Sequence, residues 1–518
     1  MTKHEEAAFP TLGEIVRFAY KLSGVLPGKQ DAAPDFGEKE RKNVQQLLGR
    51  LATEQGNLQE NMGEAFKKLA FLVTGYVPFT PVNLAIGELM FNLVDVYGQV
   101  VRNEGTYLSR RDTLRWLIAE RLAAAAALSV ARCLTRFGLH WLKPYFPNDP
   151  RWFLPDFSKD KPVFPLAKVL KWIYAQSGLT QTQFHYPQRK AGEEDVSRQH
   201  DLENVQNWVR ARNLPSAAGL DATFARAFAL QQPGDTASHE HRESVRMALF
   251  LARALTYAAL TLEKQFGRDF LHQVCDIFER TLFAAIEDLA PAESHVARLA
   301  REYGVSEHDP DLRKDVLGQW MESFMARECM ASSQLQALRE SGSLTDQETE
   351  QLAVMYGRLP VLLNVDLLEP ARMHTEPPGF RQALIEGIEL GKDRSLDNNT
   401  IDAYASMLDE SGMHPLLPWV VPWLRFLVCY RHTRYADAWI WIAEAYDTAR
   451  YRAGSRQYEI VNHYIELAAK LGKGLAFRKG VHWARYIGMD VRWLRDKELN
   501  QENLESAMYM MSISRYSV

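Results

Sequence analysis

Amide and guanidinium side chains cluster on one short segment, at Gln206, Asn207, Arg210 and Arg212. Amides can pair with base edges, and guanidinium groups can donate to base edges and to phosphates, so the set suits contact with a nucleic acid. The same segment carries Val205 and Trp208, three residues apart. On a helix such a pair shares a face, which anchors the segment to a core and leaves the polar residues largely outside that face. Pro215 ends the segment, and Ser216 can cap a following helix that runs through Leu220, Phe224 and Phe228.

Other candidates are weaker. His239-Glu240-His241 could hold a metal only with further ligands, and none stands nearby at metal spacing. It falls in a stretch, Gln231 to His241, that reads as a polar loop around Pro233-Gly234. Arg478 and His482 lie one helical turn apart and read as a surface pair. Arg301 and His308 have R-x6-H spacing, and in this they resemble the HEPN-type ribonucleases, where arginine and histidine act on the scissile phosphate; Glu302 and Gly304 depart from that pattern. The paired carboxylates Glu193-Glu194 have no visible partner. Nucleotide-binding G-x-x-x-x-G-K-[ST] and G-x-G-x-x-G patterns, the G-x-S-x-G elbow and HExxH are all absent. This weighs against an enzyme, and no catalytic residue, metal ligand or cofactor is assigned.

The elements that must position these residues are helices. At 518 residues, with 46% hydrophobic and 24% charged, the chain suits two to four globular domains. Cys133, Cys275, Cys329 and Cys429 are far apart and form no CxxC pair, which fits isolated thiols in a reducing cytoplasm. Met1 to Ala8 is polar and does not read as a signal peptide. The most apolar stretch, Leu69 to Val101, is interrupted by Pro78, Pro81, Asn83 and Glu88, and reads as buried helices rather than a membrane span. Charge is uneven: residues 101–190 hold 15 basic and 6 acidic side chains, a local field that can attract phosphate or an acidic partner.

Asp112 to Phe137 is the clearest helix, with Ser109 and Asp112 at capping spacing and Gly138 as its stop. Six prolines between Pro144 and Pro165 exclude a helix across that stretch. A third break lies at Pro370 to Gly379, and Trp419 to Val428 fits a buried helix. The expected units are 1–143, 164–230, 242–369 and 380–518. In the last, segments ending near Gly454, Gly472 and Gly488 alternate small residues with aromatics, and this loosely resembles tetratricopeptide-like helix pairs.

Two distant segments look alike. Phe9-Pro10, Ile15 to Tyr20 and Ser23-Gly24-Val25 are matched by Phe164-Pro165, Val169 to Tyr174 and Ser177-Gly178-Leu179, with a core offset of 154 residues. Each is followed by a polar insert and an Asn-Val-Gln segment, at Asn43 and at Asn204. After the second copy, Thr180 and Gln183 have capping-box spacing. This region, Gly178-Leu179-Thr180-Gln181 followed by Val205, Trp208 and Pro215, resembles the repressor-type (lambda-repressor-like, XRE) helix-turn-helix family. The resemblance implies an all-α unit whose third helix presents Gln206, Asn207, Arg210 and Arg212 to duplex nucleic acid. The insert between Phe184 and Asn204 is longer than in that family, and Ala211 stands where it has glycine.

The sequence therefore predicts an all-α, multi-domain cytoplasmic protein: a nucleic-acid-associated regulatory or accessory protein, with DNA or another nucleic acid as ligand and a protein partner on the C-terminal helices, and without a membrane. The alternative is a helical scaffold that binds no nucleic acid; a HEPN-type ribonuclease is the third reading.

Overall fold

The computed structural model describes residues 9–25, 38–54, 56–103, 108–137, 146–147, 149, 151–186, 196–231, 237–307, 309, 311–318 and 377–514. They are all-α: among the described residues the β pairing is one isolated antiparallel bridge, Asp156 with Val163. In chain order the helices of the first part are α1 (Leu12–Ser23), α2 (Glu38–Ala52), α3 (Leu58–Thr74), α4 (Thr80–Asn103) and α5 (Arg110–Trp116). A π-helical turn, Leu117–Leu122, joins α5 to α6 (Ala123–Phe137). Then come α7 (Pro165–Ser177), α8 (Gln181–His185), α9 (Val196–Val209), α10 (Ala217–Gln231), α11 (Ala237–Phe266) and α12 (Arg268–Tyr303). The last third holds α13 (Phe380–Lys392), α14 (Asn398–Glu410), α15 (Val420–Arg431), α16 (Tyr435–Ala449), α17 (Gln457–Lys470), α18 (Gly474–Tyr486) and α19 (Gln501–Ile513).

Local chemistry starts and stops these helices. Ser109 accepts from the Asp112 amide, and Thr180 with Gln183 forms a complete capping box. Pro165 takes the first position of α7, where its missing N–H costs nothing. The same rule explains a difference from expectation in the apolar stretch. Pro81 sits in the first turn of α4, so the helix runs unbroken past Asn83 and Glu88. Its window Val82–Asn103 is only 22% buried, and Phe91 on it is 73% exposed. Two helices, α4 and α11, are long and apolar enough to cross a membrane by length and composition. A second difference concerns His239-Glu240-His241, which lies in the first turns of α11 and not in a loop.

Buried apolar side chains gather in two principal groups. One joins α1 to α3, α7 to α10 and the first half of α11; the other holds the C-terminal helices together with Phe9, Leu12, Leu58, Tyr97, Val101 and Leu117. Helix α1 serves both: Leu12 lies in the second group, and Val16, Ala19 and Tyr20 in the first. Polar bonds follow the same route. The Glu54 carboxylate, after α2, pairs with the Arg450 guanidinium and accepts from the Tyr451 hydroxyl at 2.6 Å. The Gln457 amide donates to the Val101 carbonyl at 2.9 Å.

The two similar segments share their caps. Leu12 and Leu166, Val16 and Leu170, and Ala19 and Ile173 are all buried at the 154-residue offset. Ser23 and Ser177 each donate to the tyrosine carbonyl three residues back, at 2.8 and 2.9 Å. Gly24 and Gly178 both end their helix in the left-handed region, at φ 70° and 66°. Both helices pack on α11, and the Asn-Val-Gln helices α2 and α9 pack on α1 and α7 respectively.

The surroundings of the two glycines differ, and this gives a test. A Cβ on Gly178 would meet nothing within 4 Å, whereas one on Gly24 would sit 2.5 Å from the Arg253 guanidinium carbon. Gly178→Ala should cost about 1–2 kcal/mol, the left-handed penalty alone. Gly24→Ala should cost more, because Arg253 must also leave its carbonyl partners. Urea unfolding of the two variants checks this, and equal losses would contradict it.

In the C-terminal third the buried α15 confirms the reading of Trp419 to Val428. One turn recurs there. After α15, Thr433 donates to Tyr430 O and Arg434 to Cys429 O; 39 positions on, Gly472 donates to Ala469 O and Lys473 to Ala468 O. The central residue is left-handed both times, Thr433 at φ 57° and Gly472 at φ 65°. Gly454 does not end a helix in this way: α16 stops at Ala449, and Gly454 opens a 3-10 turn before α17.

Candidate nucleic-acid interface

Helices α7 to α10 surround Phe184, whose ring is fully buried against Tyr174, Phe224 and Phe228. Phe184 and its neighbour His185 are held there by the capping box that starts α8. The His185 Nε2 lies 3.0 Å from the Tyr174 hydroxyl, and burial pushes its pKa down to about 4. His185 is therefore a neutral core group at physiological pH, with no charge to offer a ligand.

Helix α9 turns Asp201, Val205 and Trp208 inward. Val205 is fully buried and Trp208 nearly so, as their three-residue spacing predicts. Asp201 does not sit there as a lone charge, because Arg226 on α10 donates to both its oxygens, at 2.9 and 2.6 Å. The opposite stripe carries exposed Gln199, His200, Glu203, Gln206 and Arg210, and Arg212 is exposed just beyond it. Of the four residues proposed from sequence, Gln206, Arg210 and Arg212 face solvent and Asn207 is half-buried. Exposed Lys171 on α7 and Thr182 and Gln183 on α8 belong to the same unit.

The helix ends earlier than Pro215 suggests. Ala211 adopts φ 51°, its amide donates to Trp208 O, and the Arg212 amide donates to Asn207 O, both at 3.0 Å. This is a Schellman cap made without glycine. Asn207 is half-buried at that point, and its carbonyl is one of the acceptors. Ser216 then caps α10, accepting from the Gly219 amide at 3.0 Å.

One residue that sequence reasoning missed holds the unit in place. Arg253 on α11 is 6% exposed and donates to Pro215 O at 2.9 Å, Lys21 O at 3.0 Å and Leu22 O at 2.6 Å. It thereby joins the end of α1 to the start of α10. The Ala217 amide adds a bond to Gly24 O at 3.0 Å. No family model, curated protein or solved structure matches the chain, so only its own residues speak to function.

The remaining sequence candidates are not brought together. Arg301 lies in the last turn of α12, which Gly304 stops, and its Nε bonds the Ala297 carbonyl; His308 lies outside the described residues. His482 is buried, 8% exposed, unlike the surface pair expected with Arg478. Burial, then the nearby Arg478 charge, holds its pKa below the usual histidine value. Nothing is described of the His239 and His241 side chains, and among the described residues no group of three or more His, Cys, Asp or Glu could hold a metal. Cys275 and Cys429 are free thiols, and burial raises that of Cys275 to about 12, so it is unreactive at neutral pH.

Proposed function

We propose that the chain is a nucleic-acid-associated regulatory or accessory protein of the cytoplasm that contacts duplex nucleic acid through α9. The observation that carries this reading is the division of that helix: Val205 and Trp208 are fixed in a core while Gln206, Arg210 and Arg212 stand in solvent. The order of α7 to α10, with a capped turn before α8, is that of a repressor-type helix-turn-helix unit. The C-terminal helical hairpins are the proposed protein-contact region, where Ile440 is 62% and Leu475 85% exposed.

Fluorescence anisotropy with mixed genomic duplex tests the reading. Binding should weaken steeply with salt, because each neutralised phosphate releases counterions, with a slope of about -0.9 per contact. Arg210→Ala should cost roughly 1–3 kcal/mol of affinity if it reads a base edge, and Arg212→Ala should mainly flatten the salt slope. Undetectable binding by the folded protein at low salt would end the reading. The same exposed apolar residues support a helical scaffold as the second reading, which co-purification yielding protein partners without nucleic acid would favour.

A further inference from the structure

A cleft of about 320 Å³ opens between α10, α11 and the turn joining α3 to α4. Its walls are aromatic. Tyr76, from the turn, stacks parallel on Phe250 of α11 with ring centroids 5.4 Å apart, and Phe224 and Phe228 line the α10 side. At its edge Arg246 and Asp221 form a half-exposed pair, Nε to Oδ1 at 2.8 Å and Nη2 to Oδ2 at 2.9 Å, with the guanidinium 5.2 Å above the Tyr76 ring. Arg242 and Glu243 complete the polar lining.

The chemistry of this lining selects a ligand class. Two arginines and two acids carry no net formal charge, so the cleft has no excess field to choose an anion or a cation. Aromatic walls this close favour a flat ring. The Arg246–Asp221 pair uses the Nε and Nη2 edge of the guanidinium, which leaves the Nη1 donors beside carboxylate lone pairs. A donor next to an acceptor complements a group that has both side by side, which is an amide edge. The volume lies at the small end of ligand pockets.

We infer that this cleft binds a small uncharged planar heterocycle with an amide-like edge, the chemical class of nucleobases and nucleosides. Such a ligand would touch both the α3–α4 turn and α10, and so bridge the two similar parts of the N-terminal half. The inference stands apart from the nucleic-acid contact on α9, and its test contains no nucleic acid.

Isothermal titration of the full chain with adenosine, guanosine, cytidine and uridine, each alone, should give saturable one-to-one binding for at least one of them. Indole, flat but without an amide edge, should bind at least about tenfold more weakly, the loss expected when a polar pair goes unanswered. Ala225 lines the cleft and is exposed, so Ala225→Trp should obstruct it and weaken binding at least about tenfold without lowering the melting temperature. Arg246→Lys, which keeps the charge but loses the fork, should weaken it measurably as well. Three results would overturn the inference: no saturable binding by any of the four nucleosides, indole binding as tightly as the best of them, or binding unchanged in both variants. If Ala225→Trp fails to fold, the Arg246→Lys titration decides.

Discussion

Replacing Arg450 by methionine should destabilise the protein by about 3–5 kcal/mol, since removing one member of a buried ion pair strands the other charge. Arg450 and Glu54 have side chains only 8% and 7% exposed, so the abandoned Glu54 carboxylate could not recover its hydration. The guanidinium also lies against the rings of Tyr446, Tyr451 and Trp483, at 4.7 to 5.8 Å, and this packing is lost with it. The double variant Glu54→Leu with Arg450→Met should recover much of the loss, because replacing a whole buried pair by apolar groups is often near neutral. Urea unfolding followed by tryptophan fluorescence reads both. A loss under about 1 kcal/mol for Arg450→Met would mean that water reaches the pair.

The same pair has a pH signature. Burial alone would raise the Glu54 pKa, but the Arg450 charge and the Tyr451 hydroxyl outweigh it and hold the group below its ordinary value. A depressed folded pKa gives stability that is complete above the unfolded value, near 4.5, and is lost as pH falls through the folded value. Arg450→Met should therefore flatten the acid limb of the stability curve and leave the alkaline limb alone.

Trp208→Ala is the second large effect expected, at about 3–5 kcal/mol for truncating a buried aromatic. Trp208 is 5% exposed. Because Asp201, Val205 and Trp208 together hold α9 to its neighbours, the damage should centre there: amide exchange should accelerate across residues 196–231, while 377–514 keep their protection. Arg210→Ala, exposed on the same helix, should leave the melting curve unchanged. Equal melting of the two variants would mean that the packing of α9 is not what fixes its exposed stripe. The contrast also separates a binding defect caused by unfolding from one caused by a lost contact.

The sequence made visible what is local. The capping spacings Ser109 to Asp112 and Thr180 to Gln183, and the stops at Gly178, Gly472 and Gly488, each depend on a few neighbouring residues, and the structure shows the bonds they imply. The buried and exposed faces of α9 followed from three-residue spacing. Where a rule is statistical, the molecule departed from it. Ala211 takes a glycine's conformation because the packed Trp208 and the Asn207 carbonyl hold the turn in place. His239 to His241 looked like loop from the nearby Pro233-Gly234, yet the helix had already begun. What remained invisible is tertiary. Nothing near Arg253 marks the Lys21 and Leu22 carbonyls as its partners, and the i, i+4 pairs Phe224/Phe228 and Arg242/Arg246 were legible only as helix periodicity, not as the walls of a cleft.

The Glu54–Arg450 pair also orders events in time. Its members are 396 positions apart. At about 5–20 residues per second, a ribosome releases Glu54 roughly 20–80 s before Arg450 exists. Through that interval α1 has a finished partner on neither side: Arg253 arrives midway, and the helices that cover Leu12 come last. The nascent N-terminal half must therefore wait with a charged group and an apolar face still in water. This is the state in which chains aggregate or recruit holding chaperones, and the demand on such chaperones should be set by the synthesis of residues far from the helix they protect.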